Sequence, residues 1–295
     1  MKLSKLTTIV IVTINGKITN KVIKNLYENY KIIIVENNND QKFKKRILNS
    51  FKKIKVLTPK KNLGFGGGNN LALKTVKTPY VLFLGPDVDI AKKDVKNLEK
   101  QVKKINNFSI ISPNSNHFIE TINTQLDKIN KNSFIKINKK TKITEIPWVP
   151  EWCMFCKVKD LKSINSFDNN FFLFFEGIDL CKRLKKNNKK FFLINSIKIT
   201  HNFHGTSQGL NKKYSDNHAK LRLWHYYWSS FYYHKKHYGY LSSFLTHISK
   251  FIRFSLQKYF SFLVADNKNY HLSKAKSDGL FSQMIFKSSN YRTEL

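Results

Sequence analysis

Short apolar runs separated by longer polar, lysine-rich stretches organise the first hundred residues. The runs Thr8–Thr13, Ile32–Val35, Ile54–Leu57 and Tyr80–Leu84 are rich in β-branched and aromatic side chains, which predicts strands. They are apolar almost throughout rather than at alternate positions, so both faces of their sheet need covering, as in a parallel sheet flanked by helices. The stretches Lys21–Asn29, Lys42–Phe51 and Asn69–Thr75 are long enough to be those helices. Right-handed βαβ crossovers then bring Thr13, Glu36, Asn62 and Asp87 to one sheet edge. The spacing of Val95, Leu98, Val102 and Ile105 predicts a further helix from Lys92 to Ile105 with one buried face.

The segment from His117 to Ile146 alternates polar and apolar residues without a motif and reads as a hairpin or variable insertion. After Pro147, WVPEWCMFCKV predicts a strand, Glu176 opens a helix carrying Leu180 and Leu184, and FFLINSIKITHNFHGTS predicts a strand ending in His201 and His204. The aromatic and basic stretch from Leu221 to Val264 predicts two helices separated near Gly239, and the residues from Asp266 onward read as a polar, poorly ordered tail. The expected organisation is an α/β domain over 1–240, with a first half at 1–115 and a second at 147–210. An amphipathic helical extension and tail follow over 241–295.

Composition narrows the partners. With 41% apolar and 14% aromatic residues in 295, the chain can bury a sizeable core. Fifty-three Lys and Arg against 19 Asp and Glu give a formal charge of +34, which attracts nucleic acid, anionic lipid or a nucleotide substrate. Lysine is spread from Lys2 to Lys287 without a dominant block and is enriched together with Asn, Ile and Phe, so a dedicated nucleic-acid binder is disfavoured. Three cysteines are too few for a disulfide framework and fit a reducing cytoplasm. Cys153 and Cys156, set among Trp152, Met154, Phe155 and Val158, read as small apolar side chains of a buried strand rather than zinc ligands. The N-terminal run Thr7–Ile14 reads as a first core strand, and no stretch reaches the roughly 18 uncharged apolar residues that span a bilayer.

The candidate chemistry sits in KNLGFGGGNNLAL (Lys61–Leu73), followed by YVLFLGPDVDI (Tyr80–Ile90). A glycine-crowded turn lets backbone N–H groups approach a phosphate, and a strand ending in Asp87-Val-Asp89 can hold a divalent cation beside it, provided the backbone stays extended. Together they point to a nucleotide-diphosphate site, with His201 a further metal ligand. Glu176 and Asp179, three residues apart, share a helical face and are candidate proton acceptors. Their structural alternatives are a helix cap for Glu176 and an ion pair with Arg183 for Asp179.

On these residues the chain resembles the family 2 inverting glycosyltransferases of the GT-A fold, particularly rhamnosyltransferase-like and cell-surface-polysaccharide members, from Leu6 to Gly239. The matching elements are Thr13-Ile14-Asn15, Val35-Glu36-Asn37-Asn38, the loop with Asn62, Gly64, Gly68 and Asn69, and Gly85-Pro86-Asp87. Phe167-Asp168, Phe171-Phe172, the helix from Glu176 to Arg183, and His201 with Gly205-Thr206-Ser207 complete the match. The resemblance implies that Thr13, Asn15, Glu36, Asn62, Gly64, Gly68, Asn69 and Asp87 bind the nucleotide sugar, a UDP- or dTDP-sugar. It implies Mg²⁺ or Mn²⁺ on Asp87, Asp89 and His201, and an acceptor site lined by Trp148 and Trp152. The implied reaction is inverting transfer to a glycan or lipid-linked acceptor, in the cytoplasm or peripherally on the inner face of the cytoplasmic membrane. Position 177, where the family carries its base, is glycine, which leaves the role to Glu176 or Asp179, or leaves a relative that binds donor without transferring.

Overall fold

Strand β1 (Thr7–Thr13) is buried along its whole length and pairs in parallel with β2 (Lys31–Glu36) on one side and β4 (Tyr80–Leu84) on the other. Strand β3 (Lys55–Leu57) extends this parallel half beyond β2. The computed structural model describes residues 3–14, 20–116, 118, 141–202 and 212–291. Helices α1 (Asn20–Leu26), α2 (Gln41–Ser50) and α3 (Gly64–Leu73) form the crossovers. Val22, Ile23 and Leu26 of α1 and Phe43 and Ile47 of α2 join Ile9, Ile11, Ile32 and Ile34 of the sheet in one apolar core. Asp40 starts α2 by accepting the Phe43 N–H at 2.9 Å, which satisfies one of the helix's orphan donors.

The second half of the sheet is built differently. After β4 come β5 (Val88–Asp89), α4 (Lys92–Gln101), β6 (Phe108–Ser115), β7 (Ile143–Ile146), β8 (Cys153–Lys157), α5 (Val158–Ser163), α6 (Glu176–Lys186) and β9 (Lys190–His201). The strand order is β3-β2-β1-β4-β8-β6-β9-β5, with β7 also on β9. Strand β8 runs antiparallel between β4 and β6, while β9 lies parallel to β6 and antiparallel to β5 and β7. The consequence for the site is a register: Val88 pairs with His201 and Asp89 with Thr200.

The chain divides into an α/β unit, Met1–Asp168 with Gly177–Thr206, and a helical unit, Asn169–Glu176 with Ser207–Leu295. The helical unit holds α7 (Lys212–Tyr238), α8 (Tyr240–Leu263) and α9 (Asn267–Met284). Gly239 joins α7 to α8 at φ 89°, a left-handed backbone that glycine adopts without steric cost, as the sequence break there anticipates.

Two expectations are corrected. The residues after Asp266 are not a disordered tail: Asp266 caps α9 by accepting the Asn269 N–H at 3.0 Å, and Ser273, Ala275, Ser277 and Gly279 are buried. A Cβ at Gly279 would lie 3.1 Å from the Trp224 carbonyl carbon, so small residues let this helix approach α7 closely despite its polar composition. Similarly, the glycine cluster is not a turn before a helix at Asn69. It is the first part of α3, and Gly66, Gly67 and Gly68 are buried inside that helix.

Candidate active site

The polar ends of β1 and β2 are tied together by Asn37. Its N–H donates to the Thr13 carbonyl at 2.9 Å and its Nδ2 to the Gly64 carbonyl at 2.9 Å, fixing the entry of α3 over both strands. Asn62 Oδ1 accepts the Gly64 N–H at 2.9 Å, and Gly64 has φ 73°, so the requirement for glycine there is conformational. Glu36 is fully buried and its Oε1 accepts the Asn38 N–H at 3.0 Å. Thr13 Oγ1 is buried with no hydrogen-bond partner among the described residues, a polar group whose desolvation a ligand would offset. Asn15 lies outside the described residues, as do His204 and Gly205-Thr206-Ser207.

Gly68 and Asn69 both have packing roles in α3. A Cβ at Gly68 would lie 2.8 Å from Val12 Cγ1, so only glycine allows α3 to ride this close to β1. Asn69, 1% exposed, turns its Nδ2 back to the Phe65 carbonyl at 3.1 Å. Its neighbour Asn70, which no motif marks, makes paired bonds to the Phe167 backbone, Nδ2 to O at 2.8 Å and N–H to Oδ1 at 3.1 Å. That pair anchors the 165–168 turn to α3.

The register of β5 on β9 assembles the second cluster. Asp87 Oδ1 stands 3.4 Å from His201 Nε2, with side chains 16% and 9% exposed. The Asn202 N–H donates to the Asp87 carbonyl at 3.0 Å, and Asn116 Oδ1 accepts the His201 N–H at 3.1 Å, so backbone bonds hold both residues. Trp152 stacks on the His201 ring at 4.5 Å between centroids and 28° between planes. Trp152, expected to line an acceptor pocket, thus packs on the imidazole of the Asp87–His201 pair. Trp148, expected to line the same acceptor pocket, is 4% exposed.

Asp89 does not complete a metal triad. The Val88 N–H donates to the Gly85 carbonyl at 3.2 Å, so Asp87 sits in a turn and the alternation that would align it with Asp89 is broken. Among the described residues no three of His, Cys, Asp and Glu gather as metal ligands. Gly85 has its own purpose here, because a Cβ at that position would lie 3.0 Å from Asp87 Oδ1 and displace the carboxylate. One carboxylate oxygen facing one imidazole nitrogen suits Mn²⁺ or Mg²⁺ when substrate phosphates and water supply the remaining ligands. The donor set thus fits a cation that arrives with a diphosphate. The three cysteines fit none: burial raises every thiol, Cys181 to about 12, which keeps them protonated and inert.

At the start of α6 the candidate bases separate. Asp179 is fully buried and bound by Arg183 Nε at 2.7 Å, while the same guanidinium donates to the Ile164 and Ser166 carbonyls at 2.7 and 2.6 Å. The structural alternative weighed for Asp179, an ion pair with Arg183, is therefore formed. Glu176 is the first residue of α6 and is buried. Gly177 N–H donates to Glu151 Oε1 at 3.0 Å, and a Cβ at 177 would lie 2.5 Å from Glu151 Cγ. Burial raises the Glu151 pKa above the ordinary carboxylate value, opposed by backbone N–H groups of Glu151 and Gly177. No motif or spacing in the sequence marked Glu151.

Residues 8–164, more than half of the chain, match the family described as Glycosyl transferase family 2. The chain belongs to glycosyl transferase family 2. It is a glycosyltransferase, as the motifs at the strand ends implied. Rhamnosyltransferase WbbL of Escherichia coli (strain K12) is 28% identical over 196 residues, which cover 56% of this glycosyltransferase and 70% of WbbL. The low-salt glycan biosynthesis hexosyltransferase Agl10 of Haloferax volcanii is 24% identical over 199 residues, covering 60% of this chain and 62% of Agl10. Among solved structures, the mannosyltransferase PcManGT from Pyrobaculum calidifontis in complex with GDP-Man and Mn²⁺ is similar with a TM-score of 0.55. That likeness, at 9% identity over 95% of this chain and 87% of PcManGT, is one of fold, the GT-A arrangement of a mixed α/β sheet flanked by helices.

Proposed function

We propose that this glycosyltransferase moves a sugar with inversion from a nucleoside-diphosphate donor, a UDP- or dTDP-sugar, to a glycan or lipid-linked acceptor. The observation that carries the reading is the Asp87–His201 pair at 3.4 Å. It stands where the parallel strands end: Ile11 pairs with Leu84 and Thr13 with Glu36, so Thr13, Glu36 and Asp87 leave the sheet on one edge. Ligands of open α/β sheets lie at this edge. Thr13 and Glu36 would meet the nucleoside, while Asp87 and His201 would hold Mg²⁺ or Mn²⁺ against the diphosphate. The cation, when bound, supplies Lewis-acid stabilisation of the departing diphosphate. Trp152 and the backbone bonds around residues 87 and 201 keep the two ligands in place beforehand, which lowers the reorganisation needed on binding.

The helical unit supports a lipid-linked acceptor. Leu241, Leu245, Ile252, Leu256, Tyr259 and Leu263 are each more than half exposed and recur at helical spacing along α8. The same helix carries Lys250, Arg253 and Lys258. No helix among the described residues is long and apolar enough to cross a membrane. An apolar stripe with basic residues on one helix suits the plane of an anionic membrane surface, with peripheral attachment at the inner face of the cytoplasmic membrane.

The test is a thermal-shift screen of UDP-, dTDP- and GDP-sugars with and without Mn²⁺, since a ligand that binds the native state raises its apparent stability. At least one donor should raise the melting temperature, and more so with Mn²⁺. A complete absence of shifts would contradict donor binding.

A further inference from the structure

Inverting transfer needs a group to take the proton of the attacking hydroxyl, and the carboxylates near the start of α6 are not equivalent. Asp179 is held by Arg183, whose guanidinium also binds two backbone carbonyls. Gly177 offers no side chain. The space where a side chain at 177 would begin is filled from another segment: the loop before β8 inserts the Glu151 side chain so that its Cγ and Cδ would stand 2.5 and 2.6 Å from a Cβ at 177. Glu151 Oε1 accepts the Gly177 N–H at 3.0 Å, which fixes the carboxylate against the first turn of α6. Adjacent Trp152 stacks on His201, the partner of Asp87, so the same short loop serves both the cation pair and the start of α6.

We propose that Glu151 is the general base of this enzyme, delivering from the loop before β8 the carboxylate that residue 177 lacks. The proposal rests on the donor reading above. As the acceptor oxygen forms its bond to the anomeric carbon, Glu151 takes the hydroxyl proton. The bond from that carbon to the diphosphate oxygen breaks, and its electron pair leaves with the nucleoside diphosphate. Burial raises the affinity of Glu151 for a proton above that of an ordinary carboxylate, the direction a general base requires. Cys181, protonated in its own buried setting, also faces Glu151 from α6.

A competing role for Glu151 is a helix cap alone. Glu151→Gln separates the two, because the amide oxygen can still accept the Gly177 N–H while the side chain loses its basicity. Turnover should fall about 10²- to 10⁴-fold, with donor affinity and melting temperature close to wild type. The relocating pair Glu151→Gly with Gly177→Asp puts a carboxylate back into the vacated space and should recover turnover relative to Glu151→Gly alone. Gly177→Asp by itself crowds Glu151 and should lower the melting temperature. Turnover of Glu151→Gln within about threefold of wild type, with donor bound, would overturn the role of Glu151 and leave the donor reading standing. Wild-type protein that binds nucleotide sugar but turns none over with any acceptor or with water would do the same. Wild-type protein that binds no nucleotide sugar would overturn the donor reading itself.

Discussion

Among the described residues the α/β unit leaves only Leu6 and Leu48 as large exposed hydrophobic side chains, whereas the helical unit exposes a series from Tyr238 to Phe286. The first unit closes its own apolar surface: strands buried on both faces, a helix seated tightly through Gly68, and polar ends tied by Asn37. The second packs a real core, with Phe231, Phe254, Leu280 and Met284 in one cluster and Trp224, Trp228 and Ala275 in another, yet keeps an apolar stripe outward. Internal fit therefore accounts for nearly all large apolar side chains described in the first unit, and for only part of those in the second. The exposed apolar residues at helical spacing along α8 are what the membrane-surface reading proposed above draws on.

That contrast can be broken or sharpened by substitution. Asp179→Asn in the α/β unit leaves the half-buried Arg183 without its charge partner and should cost about 3 kcal/mol of unfolding free energy, read by denaturant titration. The turnover of the molecules that remain folded should persist; its loss without instability would return Asp179 to the chemistry.

The helical unit has a pH-sensitive counterpart in His247, whose Nδ1–H donates to the Ser243 carbonyl at 2.8 Å and whose Nε2 meets the Ser230 hydroxyl at 2.9 Å. Burial holds its pKa down to about 4, below the unfolded value near 6.5. Below that upper value the unfolded chain binds the proton first, so stability should be constant above about pH 6.5 and fall as pH drops towards 4. The full loss is about 3 kcal/mol, and His247→Gln should flatten the profile.

Gly68→Ala should cost about 1–3 kcal/mol through overpacking against Val12, a drop in melting temperature with no outlet into solvent. The smallest folding effect is expected on the outward stripe. Leu245→Glu with Leu256→Glu should leave the melting temperature nearly unchanged, because both residues are more than 60% exposed. The same pair should reduce sedimentation with anionic vesicles about tenfold or more, in keeping with the roughly 0.8 kcal/mol per methylene of lost apolar burial. Unchanged vesicle binding would leave the stripe without a lipid surface.

The α/β unit was largely legible because its physics is local. The β-branched runs at Thr8–Thr13 and Tyr80–Leu84 became β1 and β4 with bounds within a residue, and the crossovers brought Thr13, Glu36 and Asp87 to one edge as expected. The glycine cluster misled because glycine's low helix propensity concealed a packing requirement: α3 must sit against Val12, and only residues without a Cβ permit it. The partnership of Asp87 with His201 rather than Asp89 depends on the register of β9 against β5, which pairs residues more than a hundred positions apart and leaves no local periodicity. Glu151 was hidden for the same reason, since its meaning comes from Gly177, 26 residues away. Helix α9 was missed because its buried face before Leu280 is Ser273, Ala275, Ser277 and Gly279, which reads as polar and flexible until Trp224 is set against it.

In the function proposed above, Asp87 and His201 hold a cation for the donor's diphosphate. Calorimetric titration of UDP with and without Mn²⁺, on the wild type and on Asp87→Ala, tests it without relying on turnover. The account predicts that Mn²⁺ tightens UDP binding by about tenfold or more, equivalent to about 1.4 kcal/mol, and that Asp87→Ala removes this gain. Mn²⁺-dependent UDP binding that survives Asp87→Ala undiminished would contradict it.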